Sequence, residues 1–391
     1  MRPAWTSGII LTGIVVAAFN LRPGVTGLSP LLETMGGEIR LGGTFLAVIG
    51  MLPPLLYGLC GFLAPRLITR FSAMTMTVAA MAMITLGLGV RALVSDPGLF
   101  LALSVLALAG MGLGNVVVPP IVKAYFPDRV AFVSTVHVGL LQLGTFVPPL
   151  VAVPLARELG WRGSLLVWVA CAGLAVAVWG VIAACRPAPQ TEVRAASVGG
   201  RELRRLLSTP RAWALMTMTG MTSFNNFILF TWLPPLLTRA GFDSAFAGAM
   251  LALVTAIPLV LGFVLPAMAA RLRSSAAIVV AFCLSLAAGY LGLWLAPQAA
   301  PVLWTVLLGI GISTFPLALT LITLRSRGPE ASAALSGFVQ GGGYLLAATG
   351  PLLFGLLVGA GGSLWPAFVL VLASVGIKLA VTVPATRAGH I

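Results

Sequence analysis

A few polar side chains fall inside long apolar runs, and their types limit the chemistry available to them. Arg22 stands within residues 8–32, GIILTGIVVAAFNLRPGVTGLSPLL, long enough at 1.5 Å per residue to cross a bilayer. A guanidinium keeps its proton, and placing it in hydrocarbon costs about 2.5 kcal/mol or more. Two uses fit: pairing with backbone carbonyls opened by Pro23, or a cationic contact inside a polar-solute pathway. The second is the expected one. Thr26 and Ser29, four and seven residues on, share its helical face, and Asn20 precedes it. Asn115 lies among glycines; Asn225 and Asn226 sit in a later run; Gln340 and Tyr344, four apart, share one face. Each amide serves either an interhelical hydrogen bond of about 0.6 kcal/mol or the lining of a polar cavity. Arg22, Asn20, Thr26, Asn115, Asn225, Asn226, Gln340 and Tyr344 are therefore the candidate solute contacts. His137 is the one side chain within a run that exchanges a proton near neutral pH. It is either a hydrogen-bonded core histidine or the candidate for proton coupling.

The rest of the inventory excludes several classes. The only histidines are His137 and His390, and Cys60, Cys171, Cys185 and Cys283 have no metal-ligand spacing. The nine acidic residues all fall in loops or at the ends of runs, with no Gly-x-Ser-x-Gly and no phosphate loop. Hydrolysis, metal chemistry and an ATP-driven pump within this chain are not expected, nor is a metal or cofactor. The net charge of +14 sits in short turns and has no interleaved aromatic patch, so no nucleic-acid partner is expected. With no carboxylate inside a run, the spans are expected to carry positive potential that favours an anion or an acceptor-rich solute.

The elements that position these groups follow from composition. The 391 residues are 59% apolar and only 8% charged, against about 25% charged in soluble domains. The expected fold is an all-α membrane protein. Its twelve spans lie at 8–32, 44–65, 72–94, 98–122, 130–155, 163–185, 212–237, 244–270, 275–296, 300–324, 331–359 and 364–384. With both termini cytoplasmic, the inside loops and tails hold sixteen of the 23 Lys and Arg, and the outside loops hold five: Arg40, Arg91, Arg157, Arg162 and Arg239. That bias sets the orientation. Lys378 reads as snorkelling from the inner end of the last span, and Trp232 as part of the outer interface or a gate. A first six-helix bundle is expected over 1–185, a cytoplasmic linker over 186–210 and a second bundle over 211–391. Within the linker GRELRRLLS suits either a short helix on an anionic leaflet or a solvated connector. The first run is too long for a cleaved signal peptide. The pairs Pro53-Pro54, Pro119-Pro120, Pro148-Pro149 and Pro234-Pro235 mark helix ends, flexing points or static kinks.

The two halves repeat each other. Phe19 to Leu32 aligns without a gap on Phe224 to Leu237, with seven of fourteen positions identical. Gly139-x-x-Gln142-x-Gly144 matches Gly337-x-x-Gln340-x-Gly342, and Gly61-Phe62, Pro65 and Arg70 match Gly262-Phe263, Pro266 and Arg271. Six plus six spans in equivalent orientation imply bundles related by an axis along the membrane normal, with solute sites near the midplane.

This organisation resembles the major facilitator superfamily over essentially the whole chain. The loop Gly61-Phe-Leu-Ala-Pro65-Arg66-Leu-Ile-Thr-Arg70 is similar to the superfamily's loop motif, with Pro65 where an Asp is usual. Asn20-Leu-Arg22-Pro23, Gly112-Leu-Gly-Asn115 running on to Lys123, and Ala333-Ala-Leu-Ser336-Gly337 running on to Gly350-Pro351 are together similar to the cyanate/2-nitroimidazole transporter family. The resemblance implies a major facilitator fold in a bacterial cytoplasmic membrane. It also implies alternating-access movement of a small solute, proton-linked or facilitated, with the bilayer and protons as further partners. The alternative is multidrug or toxic-compound efflux by proton antiport. Drug antiporters usually carry a Gly-Pro signature in the fifth span, where this chain has Gly144-Thr-Phe-Val-Pro-Pro149.

Overall fold

The computed structural model describes residues 4–39, 42–185, 200–271, 275–326, 328–359 and 363–387. The charges expected at Arg2, Arg40, Arg186, Glu192, Arg194, Arg273 and Arg327, together with His390 and linker residues 186–199, lie outside the described residues. So do the side chains of Pro65, Arg66, Arg201 and Arg271. Contacts gather into two compact units, Met1–Arg40 with Leu59–Ala195, and Leu41–Gly58 with Ala196–Ile391.

The first unit holds α1 (Ala4–Asn20), α2 (Pro23–Thr26), α3 (Leu32–Met35), the part of α4 (Gly43–Arg70) from residue 59 on, α5 (Ala73–Arg91), α6 (Pro97–Tyr125) and α7 (Val130–Cys185). Asp96 starts α6 by accepting the Leu99 N–H at 2.7 Å, with Pro97 in the first turn where its missing donor costs nothing. The second unit holds residues 43–58 of α4, α8 (Gly200–Leu207), α9 (Pro210–Arg239), α10 (Ser244–Arg271), α11 (Ala276–Leu295), α12 (Pro301–Ile312), α13 (Thr314–Arg325), α14 (Gly328–Gly359) and α15 (Trp365–Thr386). The linker's GRELRRLL is thus helical. Leu206 of α8 is buried, Arg204 and Arg205 are exposed, and the Trp213 indole donates to the Leu207 carbonyl at 2.9 Å.

Ten stretches among the described residues are long and apolar enough to cross a membrane. One of them is two helices, because α7 leaves helical geometry at Gly160 (φ 70°, ψ 165°), a backbone state that favours glycine. α9 has 30 residues and is about 45 Å long, enough to cross although its Thr, Ser and Asn residues dilute its apolarity. The crossings among the described residues then number twelve. Leu86, Leu93, Phe132, Leu174, Phe263, Leu284 and Leu295 are each more than half exposed, an apolar exterior that suits lipid and not water.

Two spans read from sequence as single helices are broken. The first stops at Asn20, turns at Leu21–Arg22, resumes as α2, and passes through a 3-10 turn at Ser29–Leu31 into α3. Pro23 has no N–H for the Phe19 carbonyl and Pro30 none for the Thr26 carbonyl, so the ladder fails twice within one span. The tenth span breaks at Ser313, where Pro316 likewise denies a donor to the Ile312 carbonyl. The four Pro-Pro pairs, by contrast, lie inside helices that run on through them.

Candidate functional site

In the first unit, Asn20 is 2% exposed and its amide donates to the Val16 carbonyl at 2.8 Å and the Cys171 carbonyl at 3.1 Å. The Trp179 indole reaches the Gly13 carbonyl at 2.9 Å, so α1 is fastened to the second limb of α7 at two levels. Thr26 is fully buried and donates to the Thr145 carbonyl at 2.9 Å. That carbonyl needs it, because its helical donor would be the nitrogen of Pro149. Arg22 is half-buried at the break, with φ −130° and ψ −32°, between buried Leu21 and Pro23. It is engaged within the chain. His137 is 6% exposed on α7, and its Nδ1 has no hydrogen-bond partner among the described residues. Gly144, two turns along the same face, lets the break come close. A Cβ there would lie 2.3 Å from the Phe19 oxygen and 3.4 Å from Arg22 Cβ. Asn115 is half-buried on α6 and donates to the Met111 carbonyl at 2.8 Å.

In the second unit, Asn225 is fully buried and donates to the Met221 carbonyl at 2.8 Å and Ser374 Oγ at 2.9 Å. The Oδ1 atoms of Asn225 and half-buried Asn226 accept no hydrogen bond from the described residues. Gln340 donates to Ser336 Oγ at 2.6 Å. Tyr344, half-buried one turn on, belongs to an aromatic cluster. Its ring centroid lies 5.8 Å from Tyr57, 6.3 Å from Phe227 and 6.4 Å from Phe315. Phe227 also meets Phe230 edge-on at 5.7 Å. Edge-to-face aromatic pairs of this kind are worth about 0.5–1.5 kcal/mol beyond burial.

Sequence reasoning missed three features. Arg91, assigned to an outside loop, is 2% exposed at the end of α5, donates to Ser104 Oγ at 3.2 Å, and stands 5.4 Å over the Phe100 ring. The signal was available: the turn residues Ser95-Asp96-Pro97 come four residues later, so Arg91 still belongs to the helix. Lys378 does not snorkel. It is fully buried on α15 and bonded to the break in the tenth span. Trp232 is 4% exposed and donates to the Pro351 carbonyl at 3.2 Å, which places it in the core between α9 and α14 and not at an outer interface. No periodicity marked Tyr57, Phe227 and Phe315 as neighbours of Tyr344, because they come from three other helices.

Residues 13–328 match the family model described as Major Facilitator Superfamily. The 2-nitroimidazole transporter of Escherichia coli is 32% identical over 362 residues, covering 91% of this chain and 89% of that protein. The cyanate transport protein CynX of the same organism is 27% identical over 354 residues, covering 89% of each. Among solved structures, a bacterial homologue of the human lysosomal transporter Spinster superposes with a TM-score of 0.75 at 14% identity, over 98% of this chain and 95% of that one.

Proposed function

Since the chain belongs to the Major Facilitator Superfamily and is like its 2-nitroimidazole and cyanate transporters, we propose that its solute is a small anionic or acceptor-rich polar molecule. Cyanate-like and nitroheterocycle-like compounds are the class. The multi-pass, non-enzymatic transport role is that of the family; the solute, the coupling and the site are this reading. It places the protein in a bacterial cytoplasmic membrane with both termini inside. The bundles 1–185 and 211–391, joined by 186–210, alternate access to the site, and protons drive the movement.

The observation that carries the reading is Arg22, a permanent charge half-buried at the break of the first span. A planar guanidinium fork donates two parallel hydrogen bonds to a nitro group or binds a cyanate anion, whereas it repels an organic cation. Within the second unit, the aromatic cluster around Tyr344 supports a solute with a flat ring, and the unsatisfied Oδ1 of Asn226 supports one with a hydrogen-bond donor. His137 is the coupling group of this reading, buried with a free Nδ1.

The test is thermal unfolding of the purified protein with cyanate, 2-nitroimidazole and tetraethylammonium, followed by flux in proteoliposomes. A ligand that binds only the folded state raises the melting temperature. Stabilisation by the first two compounds and not by the cation is expected. Stabilisation by the cation alone would overturn the reading in favour of drug efflux.

A further inference from the structure

Lys378 is fully buried, and its Nζ donates to Thr314 Oγ1 at 2.8 Å and to the Gly311 carbonyl at 3.3 Å. Those two acceptors flank Ser313, where α12 gives way to α13. An ammonium has three donors, so two neutral acceptors leave it incompletely matched in a dry interior, where an apolar side chain of similar size would cost less. Packing alone therefore does not account for a lysine here.

The first unit supplies the comparison. Asn20 meets Cys171 as Asn225 meets Ser374. Four residues beyond those partners stand Ala175 in the first unit and Lys378 in the second, both fully buried. In the first unit the fourth span is one uninterrupted helix, Pro97–Tyr125; in the second its counterpart is broken. At this position the second unit has a cation and a broken span, and the first has Ala175 and an unbroken one; the first unit's buried cation, Arg91, meets its fourth span from α5 and at Ser104, near that helix's start.

We propose that Lys378 is a positioning residue for the solute. It holds the tenth span in its broken form and so sets Phe315, the residue after Thr314, against Tyr344. From Tyr344 the contact continues to Tyr57 and Phe227. The proposal rests on the reading of Tyr344 as a solute contact. Lys378 touches no solute; it acts through the break.

Lys378→Met, Lys378→Arg and Thr314→Val in the full-length protein test this. The readouts are uptake of 2-nitroimidazole and cyanate in proteoliposomes and amide hydrogen exchange over residues 311–316. Lys378→Met and Thr314→Val should raise KM roughly tenfold, equivalent to about 1.4 kcal/mol, with Vmax little changed and exchange faster at the break. Lys378→Arg, which still donates, should recover part of the loss. Wild-type KM and exchange in monodisperse Lys378→Met would overturn the proposal. So would a fall in Vmax and melting temperature with KM unchanged, the mark of a merely structural role. Should Lys378→Met fail to fold, Thr314→Val, which keeps the lysine, carries the same test. If the wild-type protein moves neither probe, the solute reading fails, while exchange at 311–316 still decides whether Lys378 holds the break.

Discussion

Asn20 and Asn225 make the same pair of hydrogen bonds in their separate units: each donates to the carbonyl one turn back and to the last span of its own unit. The acceptors are Val16 and Cys171 for Asn20, and Met221 and Ser374 for Asn225. The repeat that aligned Phe19-Asn20 with Phe224-Asn225 is therefore a repeat of helix fastening. Replacing either by Leu keeps the branched shape and removes the cross-helix bond. A loss of about 0.6–1.7 kcal/mol in unfolding free energy is expected, with solute KM unchanged. Unfolding in detergent and uptake measured on the same preparations separate the two effects.

Thr26 repairs a defect that Pro149 creates. Thr26→Val leaves the Thr145 carbonyl without a donor inside the first unit, at a cost of about 1–3 kcal/mol. Pro149→Ala returns an N–H to that carbonyl, so Thr26→Val should be nearly silent in that background. A double-mutant cycle on melting temperature measures the coupling, and additive single effects would contradict it.

How much of this was legible in the sequence depends on what each residue signals. The spans were, because about 20 apolar residues between turn signals need no tertiary information; even the bend at Gly160 fell between two expected helices. The breaks at Leu21–Arg22 and Ser313 were not, because prolines alone do not decide the outcome. Pro119-Pro120 and Pro148-Pro149 lie in helices that continue, and a hydroxyl such as Thr26 supplies one missing donor. Arg91 and Lys378 were misplaced because charge counting assumes that a cation near a helix end reaches water. Here Ser104, Phe100, Thr314 and Gly311 receive them inside the protein. Of the candidate site, residue types were legible and partners were not, since partners come from distant spans.

Glu38 and Arg162 form an ion pair outside the membrane-spanning segments, with the guanidinium also 4.2 Å over the Trp161 ring and bonded to Ser95. The hydrogen bond from Arg162 holds the Glu38 carboxyl below its ordinary value. A lowered acid contributes stability that is present above its unfolded pKa and lost as pH falls through its folded one, so the link should weaken below about pH 4. Glu38 is exposed and Arg162 only half-buried, so the effect is small and shrinks in high salt. Glu38→Gln should lower the melting temperature slightly at pH 7 and leave the wild-type value unmatched only above that range; equal differences at pH 7 and pH 3 would refute the link.

His137 tests proton coupling directly. With its imidazole buried and Nδ1 unbonded, His137→Gln keeps polarity and removes titration. Accumulation driven by a pH gradient should be lost, while exchange of solute down its own gradient persists. Full gradient-driven accumulation in the variant would leave the histidine a packing residue.

Arg22 can be tested by two routes that meet. Arg22→Lys keeps the charge and discards the planar fork, so affinity for 2-nitroimidazole should fall; Arg22→Ala should lose about 1.5–3 kcal/mol, roughly 10- to 150-fold. Because Arg22 is engaged within the chain, such losses alone leave open a displaced backbone. Gly144→Ala separates the two. Its Cβ would lie 2.3 Å from the Phe19 oxygen, so it moves the break without removing any polar group. If Arg22 binds the solute, Gly144→Ala should weaken affinity for both 2-nitroimidazole and cyanate, and adding Arg22→Lys should cost less than it does in the wild type, since the fork is already misplaced. Affinity and monodispersity measured on the same preparations decide it. Wild-type affinity in a well-folded Arg22→Ala protein would remove the arginine from the site.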